Sequence, residues 1–366
     1  MDFVTSDYYL WFLPIVFFLT FTIGSKKRRR QIGILMASSY VFFWLASGWH
    51  IILLITSTLL DWTAGKRIHE SDDQKIRKRW LVGSLVVNLG ILAIFKYLDF
   101  FIESLNWASL RIADAPSIDT FGLLLPVGIS FYTFQTMSYT IDIYRKKNKP
   151  YEDLLSFACY AAFFPQLVAG PILRTSDFFN NNLKPKLNDN NHDFINGFNR
   201  ICLGLFLKLC LADELANFND LAFDYNFKDL SFLDTWTMAF GFGLQIYFDF
   251  SAYSHMAIGV SKVIGLNIKE NFIFPYSSIS STEFWRRWHI SLSSWVADYL
   301  YKFLNKNLPI YFYGSIPLLL TWGIMGLWHG SSERFFIWGL LNGFFILIHR
   351  MVKDIDFKFL KIITKN

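Results

Sequence analysis

At 366 residues the chain has the length of two or three soluble domains. However, 53% of its residues are hydrophobic, 40 are Phe and 13 are Trp, and the mean hydropathy of +0.30 places it among polytopic membrane proteins. Only 17% of residues are charged, and the net charge of +6 is gathered in short clusters between apolar runs. That pattern sets membrane topology and does not form the basic face that nucleic acid requires, so no nucleic-acid partner is expected.

A helical span takes roughly 17–25 apolar residues, because in hydrocarbon every backbone group must be satisfied within the segment. The first candidate, about Tyr8–Gly24, has its positive charges after it and no small-residue cleavage site, so it reads as a retained span. Further candidates follow at Ile32–Ser47, Ile51–Gly65, Trp80–Tyr97, Leu123–Tyr144, Leu154–Leu173, Phe194–Ala212, Leu233–Gly265, Tyr311–Leu327 and Phe335–His349. Several are short or interrupted by Gly and Pro, the mark of re-entrant or broken helices that survive only when packed in protein or lining a wet cavity. Cys202 and Cys210 lie about 12 Å apart along one helix, too far for a disulfide, and no CxxC pair exists.

The connecting charges orient these spans, since Lys and Arg near span ends stay on the cytoplasmic side. Lys26 to Arg30 and the Lys66–Arg79 loop are expected inside, and the link around Gly48 outside. Asp99 to Asp119, with four carboxylates against Arg111 alone, is expected as an outside loop, and Arg145 to Lys149 returns to the basic side. The tail with Arg350, Lys353, Lys358 and Lys361 reads as cytoplasmic. The localisation expected is therefore a multi-pass cytoplasmic (inner) membrane protein, with membrane lipid as its surroundings.

One segment is not a simple span. SISSTEFWRRWHISLSSWVADYLY, Ser278–Tyr301, opens with a Ser280–Glu283 capping box and predicts an amphipathic helix on which Phe284, Trp288, Leu292, Trp295 and Tyr299 share a face. Such a helix lies at an interface or roofs a cavity.

Of the seven histidines, His69 and His192 fall in polar loops, and His50 and His349 at span ends where an amphipathic side chain is ordinary. His329 stands between Trp328 and Gly330 at a break, with Ser331 or Ser332 placed to cap the next helix near Glu333. An ionisable residue there faces the bundle interior or a water-filled cavity. It is either a general base for hydroxyl or thiol attack or a histidine bonded to a carbonyl at the break. His289 follows Arg286, Arg287 and Trp288, for which interfacial anchoring is the plain reading. His255, Asp249 and Gln245 are expected to form one polar network between helices. No HExxH or i, i+4 ligand set predicts a metal, and no GxSxG predicts a serine nucleophile.

Four stretches carry a resemblance: FFPQLVAGPILR (Phe163–Arg174), IYFDFSAYSHMAIGVSKVIGLNIKENFIFPY (Ile246–Tyr276), STEFWRRWHISLSSW (Ser281–Trp295) and GLWHGSSERFFIWGLLNG (Gly326–Gly343). Together they resemble the membrane-bound O-acyltransferase family, in its bacterial branch of alginate O-acetyltransferases and D-alanyl teichoic acid transfer. The likeness covers about residues 126–343. It implies one integral membrane domain over residues 1–366, an all-α bundle of about 9–11 transmembrane or re-entrant helices around a tunnel, with N-terminal spans before residue 126. Relatives of the alginate type commonly continue with further membrane segments, so the C-terminus is expected to be short for the family. His255 stands where the family often has Asp, and Asn342 where it often has a second His.

The resemblance implies that His329 is catalytic and maps the family's second histidine onto His289. The expected reaction moves an acyl group, in the first instance acetyl, from a cytoplasmic thioester to a hydroxyl of an extracytoplasmic cell-surface polysaccharide or of a partner protein. The donor would be acetyl-CoA or an acyl-carrier thioester, with no bound cofactor. Every hydrophilic segment is short, so the polymer-binding surface is expected from an extracytoplasmic partner. The rival reading is a transporter or flippase with an Asp249/His255 relay; a non-catalytic scaffold would leave both His289 and His329 dispensable.

Overall fold

In hydrocarbon a helix satisfies its own backbone, and among the described residues all regular structure is helical. The computed structural model describes residues 4–24, 27–112, 117–168, 170–180, 191–224, 230–308 and 314–363. The chain divides into two compact units, Met1–Leu89 with Pro126–Asn271, and Gly90–Leu125 with Phe272–Asn366. Among the described residues, three stretches are long and apolar enough to cross a membrane: Arg28–Glu70, Gln74–Arg111 and Glu333–Lys353; Tyr8–Thr22 and Leu154–Leu167 are shorter apolar helices.

The first unit begins with a π-helical turn, Tyr8–Phe12, leading into α1 (Leu13–Thr22), then α2 (Arg28–Ser47), α3 (Ile51–Glu70) and the first part of α4 (Gln74–Ile112). It resumes with α5 (Ile129–Tyr144), α6 (Leu154–Ala161), α7 (Phe164–Leu167) and α8 (Thr175–Asn180). The expected span Leu154–Leu173 is thus broken, as its Pro and Gly predict. Phe12, Phe42 and Phe164 meet with ring centroids 5.3–6.0 Å apart, so the first π-helical turn, α2 and α7 share one aromatic core.

Polar groups hold the next layer. Asp61 on α3 is fully buried; it accepts from Ser84 Oγ at 2.6 Å and from Asn88 Nδ2 at 2.9 and 3.0 Å, both on α4. Ser57 Oγ donates to Asn88 Oδ1 at 2.7 Å and lies 3.4 Å from Thr136 Oγ1 of α5. A carboxylate at such depth is costly without donors, and three helices supply them.

The rest of this unit is α9 (Asn191–Phe206), a π-helical turn at Leu207–Ala212, α10 (Asp213–Phe223) and α11 (Phe232–Val263). Helices α9 and α11 touch through small residues, since a Cβ on Gly259 would lie 2.7 Å from the carbonyl oxygen of Gly197.

The second unit holds the remainder of α4, α12 (Ser281–Arg287), α13 (Ile290–Val296), a π-helical turn at Ala297–Tyr301, α14 (Lys302–Asn307), α15 (Ser315–His329) and α16 (Glu333–Ile363). Here α4 corrects the expected outside loop at Asp99–Asp119: the helix continues to Ile112, carrying Asp99 and Glu103 on its surface. Charge had marked the end of an apolar window, whereas Phe100, Phe101, Leu105, Trp107 and Leu110 keep the helix apolar further on. The following chain folds back along it: Asn106 brackets Ile118 with two bonds of 2.8 Å, and Asp99 Oδ1 accepts from Phe121 N at 2.9 Å. Many large apolar side chains of α4 and α16, among them Ile94, Phe101, Trp107, Ile337 and Phe345, are exposed, which suits a lipid-facing surface.

Candidate active site

His329 is the last residue of α15, and α16 begins at Glu333, so the break expected at this histidine is present. The two helices form a hairpin held by backbone contact. A Cβ on Gly326 would fall 2.1 Å from the carbonyl oxygen of Phe335, and one on Gly339 2.2 Å from that of Trp322, so only glycine allows this approach. The glycines of the motif therefore fix the distance between helices, and with it the place of the histidine at the turn.

His329 is exposed as a residue although its ring sits among neighbouring groups, and neither ring nitrogen meets a hydrogen-bond partner among the described residues. The alternative of a histidine bonded to a carbonyl at the break is therefore not what is found. Aromatic rings surround it instead: Trp328 at 4.8 Å and Trp338 at 5.2 Å, both edge-on. Trp285 extends the wall, 6.0 Å from Trp338 and 4.4 Å from Trp322. Small-molecule sites are commonly lined by such aromatic side chains with few polar groups among them.

Two neighbouring residues of α4 grip the end of α15. Lys96 Nζ donates to the carbonyl of Trp328, and Tyr97 Oη donates to that of Leu327 at 3.0 Å. These are among the last carbonyls of a helix, which have no partner within it. Neither residue stood out beside the histidines in the sequence, though a lysine inside an apolar run is itself the signal.

His289 lies in the same unit as His329. The single amphipathic helix expected over Ser278–Tyr301 is interrupted there: α12 ends at Arg287 and α13 starts at Ile290. His289 has φ of +43°, in the left-handed region. For a residue with a Cβ this conformation costs about 1–2 kcal/mol and is characteristic of functional sites. The break follows from competing bonds. Arg287 O accepts from Ile273 N at 3.0 Å, and Trp288 O accepts from Ser293 Oγ at 3.2 Å, both in place of the helical ladder. The side chain of His289 is only 2% exposed and faces the ring of Phe272 at 6.4 Å, so it is no interfacial anchor. The capping box is also shifted: Ser280 accepts from Glu283 N at 3.2 Å, but Glu283 Oε2 reaches the N–H of Ile279 at 3.1 Å.

Gln245, Asp249 and His255 do not form one network. Each takes its own partner in the first unit: Asn219 Nδ2 donates to Gln245 Oε1 at 2.7 Å, Lys208 Nζ to Asp249 Oδ1 at 2.6 Å, and Arg200 Nε to His255 Nδ1 at 3.0 Å. Arg200 also pairs with Glu270. The spacing placed the three on one helix but could not name partners on α9, the following π turn and α10. His69 and His192, expected in loops, fall in the last turn of α3 and the first of α9.

This first unit also has a cavity of about 770 Å³ whose lining includes Arg28, Arg29, Lys149, Tyr151, Glu152 and Asp153. Its charged wall does not suit an acyl chain.

The family model of the membrane-bound O-acyltransferases matches residues 146–361, which takes in both histidines. The chain belongs to that family. A probable alginate O-acetylase of Pseudomonas aeruginosa is 38% identical over 357 residues, covering 96% of this chain and 66% of the relative. A peptidoglycan O-acetyltransferase of Helicobacter pylori is 32% identical over 385 residues, covering 95% and 70%. A teichoic acid D-alanyltransferase of Bacillus subtilis is 28% identical over 233 residues, covering 59% and 56%. The chain thus spans about two thirds of the length of the first two relatives. Membership in an acyltransferase family accords with a membrane protein whose second unit places an exposed histidine among aromatic rings.

Proposed function

We propose that the protein is an O-acyltransferase of the cell envelope in which His329 is the general base. The observation that carries this reading is a histidine whose ring nitrogens have no hydrogen-bond partner among the described residues, at the end of a helix fixed by glycine contacts. A ring nitrogen of His329 takes the proton of an acceptor hydroxyl as its oxygen attacks the thioester carbonyl. The carbon–sulfur bond then breaks, and the proton passes from the imidazole to the departing thiolate. Buried His289, held in a strained backbone conformation in the same unit, orients a substrate group or assists the proton's passage. The aromatic wall limits water, which would otherwise hydrolyse the donor.

The acyl group is acetyl, in keeping with two relatives named O-acetylase or O-acetyltransferase, and the donor is acetyl-CoA or an acyl-carrier thioester. The acceptor is a hydroxyl of a cell-surface polysaccharide, or of an extracytoplasmic partner that presents the polymer, and the protein resides in the cytoplasmic membrane. With the loop expected at Asp99–Asp119 largely helical, the case for an external partner strengthens, because little hydrophilic chain remains there to build a polymer groove. The orientation is tested by reporters fused after Arg79 and after Lys149, which should both be cytoplasmic. The chemical test supplies the purified protein with acetyl-CoA and candidate polymers, with and without a co-expressed external protein. Donor turnover redirected to polymer only when that protein is present is the expected result; efficient polymer acetylation by this chain alone would remove the partner from the scheme.

A further inference from the structure

We propose that Lys96 is a positioning residue for His329, gripping the last turn of α15 so that the imidazole keeps its place; this rests on the catalytic reading of His329. The last four carbonyls of a helix have no partner within it, and a helix that ends on its functional residue frays there unless something holds them. At the end of α15, Gly326 O accepts from Gly330 N at 3.3 Å, Leu327 O from Tyr97 Oη at 3.0 Å, and Trp328 O from Lys96 Nζ. Two adjacent residues of α4 thereby hold two adjacent carbonyls immediately before His329.

The choice of lysine is physical. Its neighbours on α4 are mostly apolar, with Ile94 and Phe95 before it and Leu98, Phe100 and Phe101 after, while Asp99 three residues on accepts from Phe121 N, so the ammonium is costly there unless a partner receives it. The negative end of the α15 dipole is such a partner, and the ammonium also lies 5.0 Å from the centre of the Trp328 ring, within cation–π range. Lys96 thus fixes both the backbone and the indole that flanks the imidazole. Removing it takes a charged donor from the carbonyl next to His329 and a cation from the face of Trp328. Small misplacement of a catalytic group is enough to cost about 10²-fold in rate without weakening substrate binding.

The test compares the full-length protein with Lys96→Met, Lys96→Arg, Tyr97→Phe and His329→Ala, using acetyl-CoA turnover together with hydrogen exchange in the peptide around Gly326–Gly330. Lys96→Met should lower kcat about 10- to 100-fold with KM for acetyl-CoA within about twofold, and Lys96→Arg should recover most of the loss. Tyr97→Phe, which removes one neutral bond, should lower kcat only several-fold. Amides of the last turn of α15 should exchange faster in Lys96→Met and near the parent rate in Lys96→Arg. Parent kcat and parent exchange in Lys96→Met would overturn the proposal, as would a change in KM alone, which would place Lys96 on the donor. If Lys96→Met does not fold, the decision passes to the milder pair: parent kcat and exchange in Tyr97→Phe, or a Lys96→Arg variant as inactive as His329→Ala, would overturn it. Parent activity in His329→Ala would defeat the catalytic reading itself, a result distinct from any of these; the exchange data then still report whether Lys96 holds the helix end.

Discussion

Helix α11 in the first unit and the α15–α16 hairpin in the second both carry ionisable side chains inside apolar sequence, and they treat them in opposite ways. On α11, Asp249 and His255 are each met by a cation of another helical segment, and Gln245 by an amide. At the hairpin turn His329 finds no hydrogen-bond partner for either ring nitrogen among the described residues, while the charged residue beside it, Lys96, bonds the backbone. Polar groups at membrane depth are costly, so a paired one is accounted for by its pairing. A group left open by a rigid frame calls for a substrate. That contrast makes a relay through Asp249 and His255 the weaker reading, since those groups are already committed.

The comparison breaks most sharply at His329. His329→Ala should lower acyl transfer by about 10²–10⁴-fold while size-exclusion behaviour and thermal stability stay near the parent's. Asp249→Asn should leave transfer within a few-fold of the parent. Silencing by Asp249→Asn with full activity in His329→Ala would invert the roles of the two regions.

Next in size is the frame itself. Gly326→Val or Gly339→Val puts side-chain atoms where a carbonyl oxygen lies 2.1–2.2 Å from the would-be Cβ, so the hairpin must open. Both variants should lose stability and transfer together, read as a drop in melting temperature and in turnover; a fully active, fully stable Gly326→Val would show that backbone contact does not place the histidine.

His289 separates strain from chemistry. His289→Ala should leave a trace of transfer. His289→Gly should be as inactive as His289→Ala yet more stable by about 1 kcal/mol, because glycine adopts φ of +43° without the steric cost. Equal stability of the two variants would mean that the left-handed backbone stores no strain.

The smallest effect is expected on α11. Lys208 and Asp249 are both partly exposed, so their pair is screened and worth about 1 kcal/mol or less. Lys208→Met should nevertheless cost more than the double change Lys208→Met with Asp249→Leu, since the single variant strands Asp249 as well as Asp213, which Lys208 also pairs at 2.7 Å; the melting temperatures of the two variants decide this.

Composition and apolar run length by themselves determined that this is an all-helical membrane protein, and local chemistry determined the helix break at His329. Trp328-His329-Gly330 marks a helix end because glycine and the serines after it favour a stop and a new start. The sequence motifs sufficed for the family, and they singled out His289 and His329 as the candidates within it. The tertiary structure alone decided which polar groups are satisfied. Arg200 and His255 are 55 residues apart, and Lys96 and Trp328 are 232 apart. No periodicity within a segment encodes such partners. It also decided the backbone of His289, since the helical spacing of Phe284, Trp288, Leu292 and Trp295 is real, yet bonds from Ile273 and Ser293 outcompete the ladder at that point. The buried Asp61 cluster has the same cause: Ser57, Ser84, Asn88 and Thr136 look like scattered polar residues until three helices bring them together. Sequence spacing fixes what one helix presents, and only packing fixes what meets it.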